Sequence, residues 1–342
     1  MIIAADRLER AVAAIFLAAG SCPREAGLIA SHLVLANLSG HDSHGVGMVP
    51  GYIAAVGRGD MKLNHRLSLA RDDGAILVCD GGNGAGQVMA FEAMELGIAR
   101  ARERGAAIVA LRDSYHIGRI GHWAEQCAAA GMVSLHFVNV PAHAAVAAFG
   151  GTAPRLGTNP FCAGFPRPGG EPIIVDFATS RWAVGKVRVA WKKGEPVPPG
   201  TLLDAEGRPT RDPAVIFEPP VGALLPFGEH KGFGLALACE ILAGAVIGGL
   251  TQDGTPMAAI TNSMLSVVLS PAAVGGGRYA AQLDTLAAWV ASEDGVCLPG
   301  EPERERRARL RRDGVAIDPA SWAEIVAAAA SVGIADLEAA AG

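Results

Sequence analysis

The sequence has few charged and few aromatic residues, and it lacks a long uninterrupted hydrophobic run. Charged residues make up 18% and aromatic residues 5% of the 342 positions, whereas 50% are hydrophobic. This composition excludes a disordered chain and a small disulfide-stapled one. The most apolar stretch, 235–250, is shorter than the roughly 20 residues of a transmembrane helix and contains Glu240. It predicts a buried core helix, in a globular protein of two domains at about 150 residues each, with no membrane partner.

The chain also lacks an excess of positive charge. Lys and Arg total 29 against 34 Asp and Glu, which gives a formal net charge of −5. No basic cluster is large enough to dock phosphates, so we expect no nucleic-acid partner. The one dense charge run, 301–312, mixes both signs in the manner of an exposed helix with i,i+4 pairs.

The cysteines lack both a C-x-x-C motif and a pairing rhythm. There are six of them: Cys22, Cys79, Cys127, Cys162, Cys239 and Cys297. They predict small buried thiols in a reducing compartment, and so a cytoplasmic protein. The charged N-terminal stretch 1–20 suits an amphipathic helix better than a signal peptide.

Apolar runs separated by glycine-rich loops predict alternating strands and helices in the centre of the chain. Pro23 opens a helix that stops near Gly40, before this central region. The helix of the centre is expected at 87–105. Strands are expected at 75–80, 106–111, 132–140 and 173–180.

The loop GHDSHG at 40–45 is the first candidate for chemistry. Imidazole titrates near neutral pH and can pass a proton to an alkoxide, and a hydroxyl such as that of Ser43 can orient the ring of His44. A purely structural reading, with Asp42 or Ser43 capping a helix, is equally open at this point. His41 and His44 have ligand-like spacing, but no further Cys or carboxylate cluster completes a zinc site, so we predict no metal centre.

The glycine-rich segment GGNGAGQ at 81–87 joins a predicted strand to a predicted helix. Its backbone N–H groups could face a phosphate at the helix N-terminus. The spacing is G-x-G-x-G and not the G-x-G-x-x-G of dinucleotide-binding Rossmann folds. A tight glycine turn is therefore at least as good an interpretation.

Three further segments place polar residues where predicted strands end or a helix begins. In 114–123, His116 and Arg119 follow a strand, while His122 is expected in a helix. Asp176 could hold an imidazole in one tautomer or could simply cap a turn. Lys231, beside glycines at a helix start, suits a pyrophosphate.

Taken together, the motifs resemble the malate/L-lactate dehydrogenase family across nearly the whole chain. They are HDSHG at 41–45, DGGNGAGQ at 80–87, S-x-H-x-G at 114–118, GTNP at 157–160, D-x-ATS at 176–180, GK at 185–186 and HKGFG at 230–234. The resemblance implies an α/β fold whose central, largely antiparallel sheet is flanked by helices and binds the cofactor without a Rossmann arrangement. It also implies a homodimer. The cofactor-binding domain would span 76–274, and 1–75 with 275–342 would form a second, helical domain.

The resemblance also assigns roles to individual residues. His44 matches the proton-transferring histidine, Ser43 and Asp176 match the groups that orient it or relay to it, and His116 matches an acid/base histidine of some members. Contacts to NAD or NADP carry over to Val140, Asp176, Phe177, Ala178, Lys231, Pro299, Gly300 and Glu301.

One position departs from the family pattern. Typical members have an arginine, the expected clamp for a substrate carboxylate, where this chain has Met48. A carboxylate in a dry pocket needs a cationic partner. We therefore hypothesise that Arg119 has taken over the clamp and that Met48 lines an apolar wall.

The implied reaction is hydride transfer between NAD or NADP and C2 of a small 2-hydroxy or 2-oxo acid of the malate, lactate or aryl-lactate type. His44 would exchange the proton, Arg119 would align the carboxylate and His116 would polarise the same oxygen. The alternatives within the family are reduction of a cyclic imino acid and oxidation of a ureido or sulfo hydroxy acid.

Overall fold

A computed structural model describes residues 1–142, 144–255, 257 and 259–340. The α-helices of this part of the chain are α1 (Ala5–Ala18), α2 (Pro23–Leu38), α3 (Val49–Arg58), α4 (Gly86–Arg104), α5 (Gly121–Ala129), α6 (Val184–Lys193), α7 (His230–Glu240), α8 (Pro271–Gly275), α9 (Tyr279–Val290), α10 (Glu301–Asp313), α11 (Pro319–Ser331) and α12 (Leu337–Ala340). A π-helical turn, Ile241–Ala245, continues α7. No described helix has the length and apolar character needed to cross a bilayer.

The strands form three sheets in the described residues. The strands are β1 (Ile2–Ile3), β2 (Ser68–Asp73), β3 (Ile76–Asp80), β4 (Ala106–Tyr115), β5 (Val133–Asn139), β6 (Val146–Ala147), β7 (Pro154–Leu156), β8 (Phe161–Phe165), β9 (Ile173–Phe177), β10 (Leu202–Leu203), β11 (Pro209–Thr210), β12 (Ala223–Leu224), β13 (Thr261–Leu269) and β14 (Val315–Ala316). The predicted strands at 75–80, 106–111 and 132–140 correspond to β3, β4 and β5.

The central sheet has seven strands in the order β2-β3-β4-β13-β5-β8-β9. Only β3 and β4 pair in parallel, and the other neighbours run antiparallel. The helix between these two strands, α4, packs against β4 as the crossover of a parallel pair must. The predicted α/β fold with helices flanking a sheet is confirmed, and the sheet is mixed.

Helices cover both faces of this sheet. Successive residues of a strand point to opposite faces. In β4, Ala107, Val109 and Leu111 join the large core that also takes in α4 and α5, whereas Ala110 joins Leu265 and the segment after α7. The ends of β4, β5 and β9 carry or directly precede three of the candidate site residues, His116, Val140 and Asp176.

The two ends of the chain meet, and a small sheet forms a separate core. Strand β1 pairs antiparallel with β14, which joins the N-terminal helices to the C-terminal segment. Strands β11, β10, β12, β6 and β7 form a five-stranded sheet that packs with α6 around Val187 and Leu202. Helix α6 extends from this small sheet to the loop that carries His44.

The predicted exposed helix over the charge run is confirmed as α10, in which no residue is buried. The prediction of a buried core helix at 235–250 is wrong for one face. Ala236, Cys239 and Ala243 are buried there, but Leu237 and Ile241 are 40% and 47% exposed. An apolar run in the sequence therefore does not by itself show that the helix is buried on all of its faces.

The prediction that all six thiols are buried is also wrong for two of them. Cys22 and Cys297 are exposed, and the remaining four are buried; all six are free. Cys22 occupies the N-cap position of α2, and Cys297 lies in the connection before α10, so both sit outside the packed layers.

Candidate active site

The loop that carries His44 is held by Asn37, a buried residue near the end of α2. The Asn37 amide oxygen accepts the Val46 N–H at 2.8 Å, and its amide nitrogen donates to the Asp42 carboxylate at 2.7 Å. Gly45 passes so close that a Cβ there would lie 2.1 Å from the Asn37 amide oxygen. Asp42 thus binds a side chain behind the loop, which fixes the short 3-10 turn Asp42–His44.

Ser43 contacts His44 and is itself wedged against α6. The Ser43 hydroxyl lies 3.0 Å from His44 Nδ1. A Cβ on Gly185, in the first turn of α6, would lie only 2.1 Å from the Ser43 Cβ. The GK motif at 185–186 therefore supplies a residue without a side chain where α6 meets the loop that carries His44.

His116, just beyond the end of β4, faces His44. The two rings stack with centroids 5.6 Å apart and planes 20° apart. The Tyr52 hydroxyl lies 2.5 Å from His116 Nδ1, and the Gln87 amide nitrogen donates to the same hydroxyl at 3.0 Å. Two imidazoles with neutral hydrogen-bond partners thus share one half-buried space.

Both imidazoles are neutral near pH 7. Burial lowers the pKa of His44 to about 3, and the neighbouring His116 lowers it further. Burial lowers the pKa of His116 to about 4. A neutral ring has a lone pair with which it can accept a proton from a hydroxyl group.

Arg119 lies in a buried cluster of charges beside this pair. The guanidinium, 3% exposed, is 2.8 Å from a Glu125 carboxylate oxygen and 3.7 Å from Asp176. Glu125 also pairs with Arg307 of α10. Two arginines and two carboxylates therefore balance one another, and the Arg119 charge is already compensated.

These contacts argue against two roles expected from the resemblance. A clamp needs an uncompensated cation for the substrate carboxylate, and Arg119 already faces Glu125 and Asp176. Asp176, expected to orient His44, accepts the Gly121 N–H at 2.9 Å and pairs with Arg119. Burial raises the pKa of Asp176, and Arg119 opposes that rise.

Met48 and two further histidines near the site, His41 and His32, have clear positions. Met48 is partly buried and packs against the main core. His41 lies 3.7 Å from Glu303 of α10. His32 accepts the Arg119 N–H at 2.9 Å and leaves no room for a side chain at Gly118. In the described part of the chain no group of three or more His, Cys, Asp or Glu residues could hold a metal ion.

The segment GGNGAGQ is a tight glycine turn against β4. The Gly81 and Asn83 N–H groups donate to Arg112 and Asp113 carbonyls at 2.8 Å and 2.7 Å, and the Gly84 N–H donates to the Gly81 carbonyl. The N–H donors of the loop at 81–84 are thus occupied by protein acceptors, which argues against a phosphate bound by the loop itself. The segment instead places Gln87 in the first turn of α4.

The residues expected at the cofactor lie in connected loops. Asn159 accepts the Val140 N–H at 3.2 Å, and the Thr179 hydroxyl donates to the Asn159 carbonyl at 3.0 Å. Thr179 also accepts the Phe227 N–H, which brings the start of α7 and Lys231 next to the end of β9. The exposed Lys231 lies in the first turn of α7, so its ammonium group is near the N-terminus of that helix.

Strand β9 is also contacted by the segment that leads into α10, which contains Pro299, Gly300 and Glu301. The Pro299 carbonyl accepts the Ile174 N–H at 3.0 Å, and a Cβ on Gly300 would lie 3.2 Å from Ile174. Ile174 is two residues before Asp176, so all the residues expected at the cofactor border β9 or the loops bonded to it.

Sequence reasoning missed four residues that hold the site together: Asn37, Tyr52, Gln87 and Gly185. Gln87 and Gly185 belong to quoted motifs, so their position beside glycine-bearing loops was a usable signal. Asn37 and Tyr52 lie on α2 and α3, where an apolar pattern hides a polar group that bonds inward.

Comparisons with known proteins agree with the motif-based resemblance. The family model described as malate/L-lactate dehydrogenase matches residues 3–326. Hydroxycarboxylate dehydrogenase B of Escherichia coli (strain K12) is 47% identical over 339 residues, covering 96% of this chain and 94% of that protein. An L-lactate dehydrogenase of Cupriavidus necator is 39% identical over 338 residues, covering 95% and 97% of the two chains.

A solved structure has the same fold throughout. An E. coli protein assigned to the malate/lactate dehydrogenases superposes with a TM-score of 0.96 at 46% identity, covering 99% of this chain and 98% of that one. With the family model and the relatives, this match confirms the resemblance, and the chain belongs to the malate/L-lactate dehydrogenase family.

Proposed function

We propose that the protein is an oxidoreductase that transfers a hydride between NAD or NADP and C2 of a small 2-hydroxy or 2-oxo carboxylic acid. The observation that carries the proposal is the stacked pair His44 and His116, two neutral imidazoles in one half-buried space. Family membership supports the reaction class, because the family model that matches the chain is described as malate/L-lactate dehydrogenase.

In this reaction His44 exchanges the proton of the substrate oxygen. As a hydroxy acid is oxidised, neutral His44 accepts the hydroxyl proton, and the Ser43 hydroxyl at Nδ1 holds the ring. In the reverse direction His44 must be protonated. An anionic substrate beside the ring favours its charged form and so raises its pKa. His116 contacts the same oxygen and polarises it.

We assign Arg119 and Asp176 to the frame of the site. Arg119 binds Glu125 and Asp176, while its backbone N–H is held by His32. Asp176 in turn fixes Gly121, at the start of α5. The alternative, Arg119 as a clamp, requires the guanidinium to leave one of its carboxylates, and its test is given below.

The residues present suit a dinucleotide. Lys231 at the N-terminus of α7 offers a cation to a pyrophosphate, and the positive end of the helix dipole adds to its attraction. Val140, Phe177 and Ala178 are partly buried and offer an apolar wall. When bound, the nicotinamide supplies or accepts the hydride. We place the cofactor-binding domain at 76–274, and the joined termini, 1–75 and 275–342, in the second domain.

We further propose a homodimer. The apolar side chains exposed on and after α7 support this, because Leu237, Ile241, Val246 and Leu250 are 40–61% exposed on one stretch of chain. A contiguous exposed apolar patch marks an interaction site. Sedimentation equilibrium tests this point, and a monomer at micromolar concentration would contradict it.

The direct test is absorbance of the reduced nicotinamide with NADH and NADPH across a panel of 2-oxo acids. We expect turnover with at least one of them. In His44→Gln, kcat should fall by about 10²- to 10⁴-fold, the range for loss of general acid–base help, with cofactor affinity unchanged. Absence of turnover with every acid and both cofactors would contradict the proposal.

The second candidate is reduction of a cyclic imino acid. It is supported by a relative named Δ1-pyrroline-2-carboxylate reductase, 36% identical over 323 residues, and an L-sulfolactate dehydrogenase at 34% over 309 residues extends the choice to sulfo hydroxy acids. Adding Δ1-pyrroline-2-carboxylate and sulfopyruvate to the panel separates these substrates.

A further inference from the structure

We propose that Tyr52, held by Gln87, keeps His116 in a single tautomer with its proton on Nε2. His116 then presents an N–H donor to the substrate oxygen, while His44 carries the proton that is transferred. This inference rests on the proposed function and adds two positioning residues, from α3 and α4, to the site.

The direction of the hydrogen bonds leads to this tautomer. The Gln87 amide nitrogen is a donor, so the Tyr52 hydroxyl oxygen accepts from it at 3.0 Å. The single hydroxyl proton of Tyr52 is then free to point at His116 Nδ1, 2.5 Å away. An imidazole nitrogen that accepts a hydrogen bond carries no proton, so with the Gln87 amide in this orientation the proton of the neutral ring is on Nε2.

Because Tyr52 and Gln87 are buried, the Tyr52 hydroxyl is the hydrogen-bond partner available to Nδ1 of His116. Tyr52 is 0% and Gln87 1% exposed, so bulk water does not compete for the hydroxyl. The Tyr52 ring meets Phe16 and Tyr115 edge-on, with centroids 6.5 Å and 5.5 Å away, which fixes its orientation. Burial also raises the pKa of Tyr52, so the hydroxyl keeps its proton.

The tautomer decides what His116 can do. With the proton on Nε2, the ring donates a hydrogen bond to a carbonyl or alkoxide oxygen and stabilises its negative charge. With the proton on Nδ1, the ring would turn a lone pair toward that oxygen and repel it. Loss of the partner that fixes a metal-binding histidine costs about 10- to 100-fold, and we expect a loss of this order here.

The first test reads the tautomer without any substrate. In ¹⁵N-histidine-labelled protein at pH 7, a long-range ¹H–¹⁵N spectrum separates protonated from bare ring nitrogens, and His116→Asn identifies the His116 signals. We expect protonated Nε2 in the wild type and a mixture of tautomers in Tyr52→Phe. A wild-type ring protonated on Nδ1 would overturn the proposal, because Tyr52 would then donate to a reversed Gln87 amide.

The second test is kinetic and uses a matched control. Tyr52→Phe should lower kcat by about 10- to 100-fold with little change in cofactor affinity. Tyr115→Phe removes a hydroxyl from the ring that packs on Tyr52, and it should keep the Nε2 tautomer and near-normal turnover. Equal losses in both variants would overturn the proposal, since packing alone would then explain them.

Gln87→Leu gives an intermediate case. Tyr52 can still donate to Nδ1 there, so the Nε2 tautomer should persist and the loss of kcat should be smaller than in Tyr52→Phe. If Gln87→Leu changes the tautomer while Tyr52→Phe does not, the proposed chain is wrong. Failure of every substrate in the panel would refute the proposed function, whereas the spectrum alone decides the tautomer.

Discussion

The two halves of the candidate site are built on opposite electrostatic principles. On one side, His44 and His116 are uncharged and are held by the Ser43 hydroxyl and the Tyr52 hydroxyl. On the other side, four charged side chains compensate one another: Arg119, Glu125, Asp176 and Arg307. We propose that proton exchange belongs to the uncharged half and that the charged half holds strands and helices in place.

Acid should destabilise the protein through its buried histidines, among them the pair in the uncharged half. Burial lowers the pKa of His32, His44, His116, His122 and His136 below the ordinary 6.5. Below pH 6.5 the unfolded chain therefore binds more protons than the folded one, and stability falls as pH decreases toward the folded values of about 3 to 4. Each histidine contributes up to about 1.4 kcal/mol per pH unit.

Urea unfolding at pH 7, 6 and 5, followed by circular dichroism, measures this loss. His136 lies outside the site, between the Ser134 and Ser266 hydroxyls, so His136→Gln should reduce the slope by about one histidine's share, ~1.4 kcal/mol per unit. A free energy of unfolding that is constant between pH 7 and pH 5 would contradict the account.

Glu125→Gln should break the charged half. The substitution keeps the side chain's size but leaves Arg119 and Arg307 facing an uncharged amide. Removing one partner of a buried ion pair costs about 3 kcal/mol or more. Urea unfolding at pH 7 measures this loss in the free energy of unfolding.

The control for Glu125 is Glu303→Gln, which loses only the more exposed pair with His41. Its cost should stay below about 1 kcal/mol. Equal costs for the two variants would show that the buried network is not what stabilises this half.

Gly185→Ala tests the contact between α6 and the uncharged half. The new Cβ would lie 2.1 Å from the Ser43 Cβ, so Ser43 and His44 must shift. Because a misplacement of about 1 Å can cost up to 100-fold, we expect kcat to fall by about tenfold or more. Gly57→Ala, on α3 with no atom within 4 Å of the new Cβ, should leave kcat unchanged.

The smallest effect is expected on the KM of Arg119→Met. If Arg119 belongs to the frame, stability should fall while the KM for a 2-oxo acid stays within about twofold, since no substrate contact is lost. A clamp predicts the reverse, a large rise in KM, because an unpaired carboxylate in a dry pocket costs several kcal/mol, of the order of a hundredfold or more. Initial rates over a range of substrate concentrations distinguish the two.

Much of the fold follows from local patterns. Pro23 and Gly105 mark a helix start and a helix end as predicted, and the mixed charges of 301–312 lie on an exposed helix. The burial of α7 could not be predicted, because an apolar run inside a core and one on an exposed face have the same composition. Only packing distinguishes Ala236 from Leu237.

In the candidate site, too, local sequence patterns predict some features, and the fold decides the others. The motif and titration chemistry of His44 select it from the sequence, and its neighbour Ser43 lies where an orienting hydroxyl is expected. The charge network around Arg119 could not be foreseen, because Asp176 comes from β9 and Arg307, which pairs with Glu125, comes from α10, both far along the chain. Pairing of distant charges is a property of the fold, and local spacing does not encode it.

The most direct test compares His44→Gln with His116→Gln in single-turnover oxidation of the reduced nicotinamide by the best 2-oxo acid of the panel. With His44 as the group that exchanges the proton, the rate should fall further in His44→Gln than in His116→Gln, with both variants binding cofactor normally. A near-normal rate in His44→Gln together with an inactive His116→Gln would contradict this assignment.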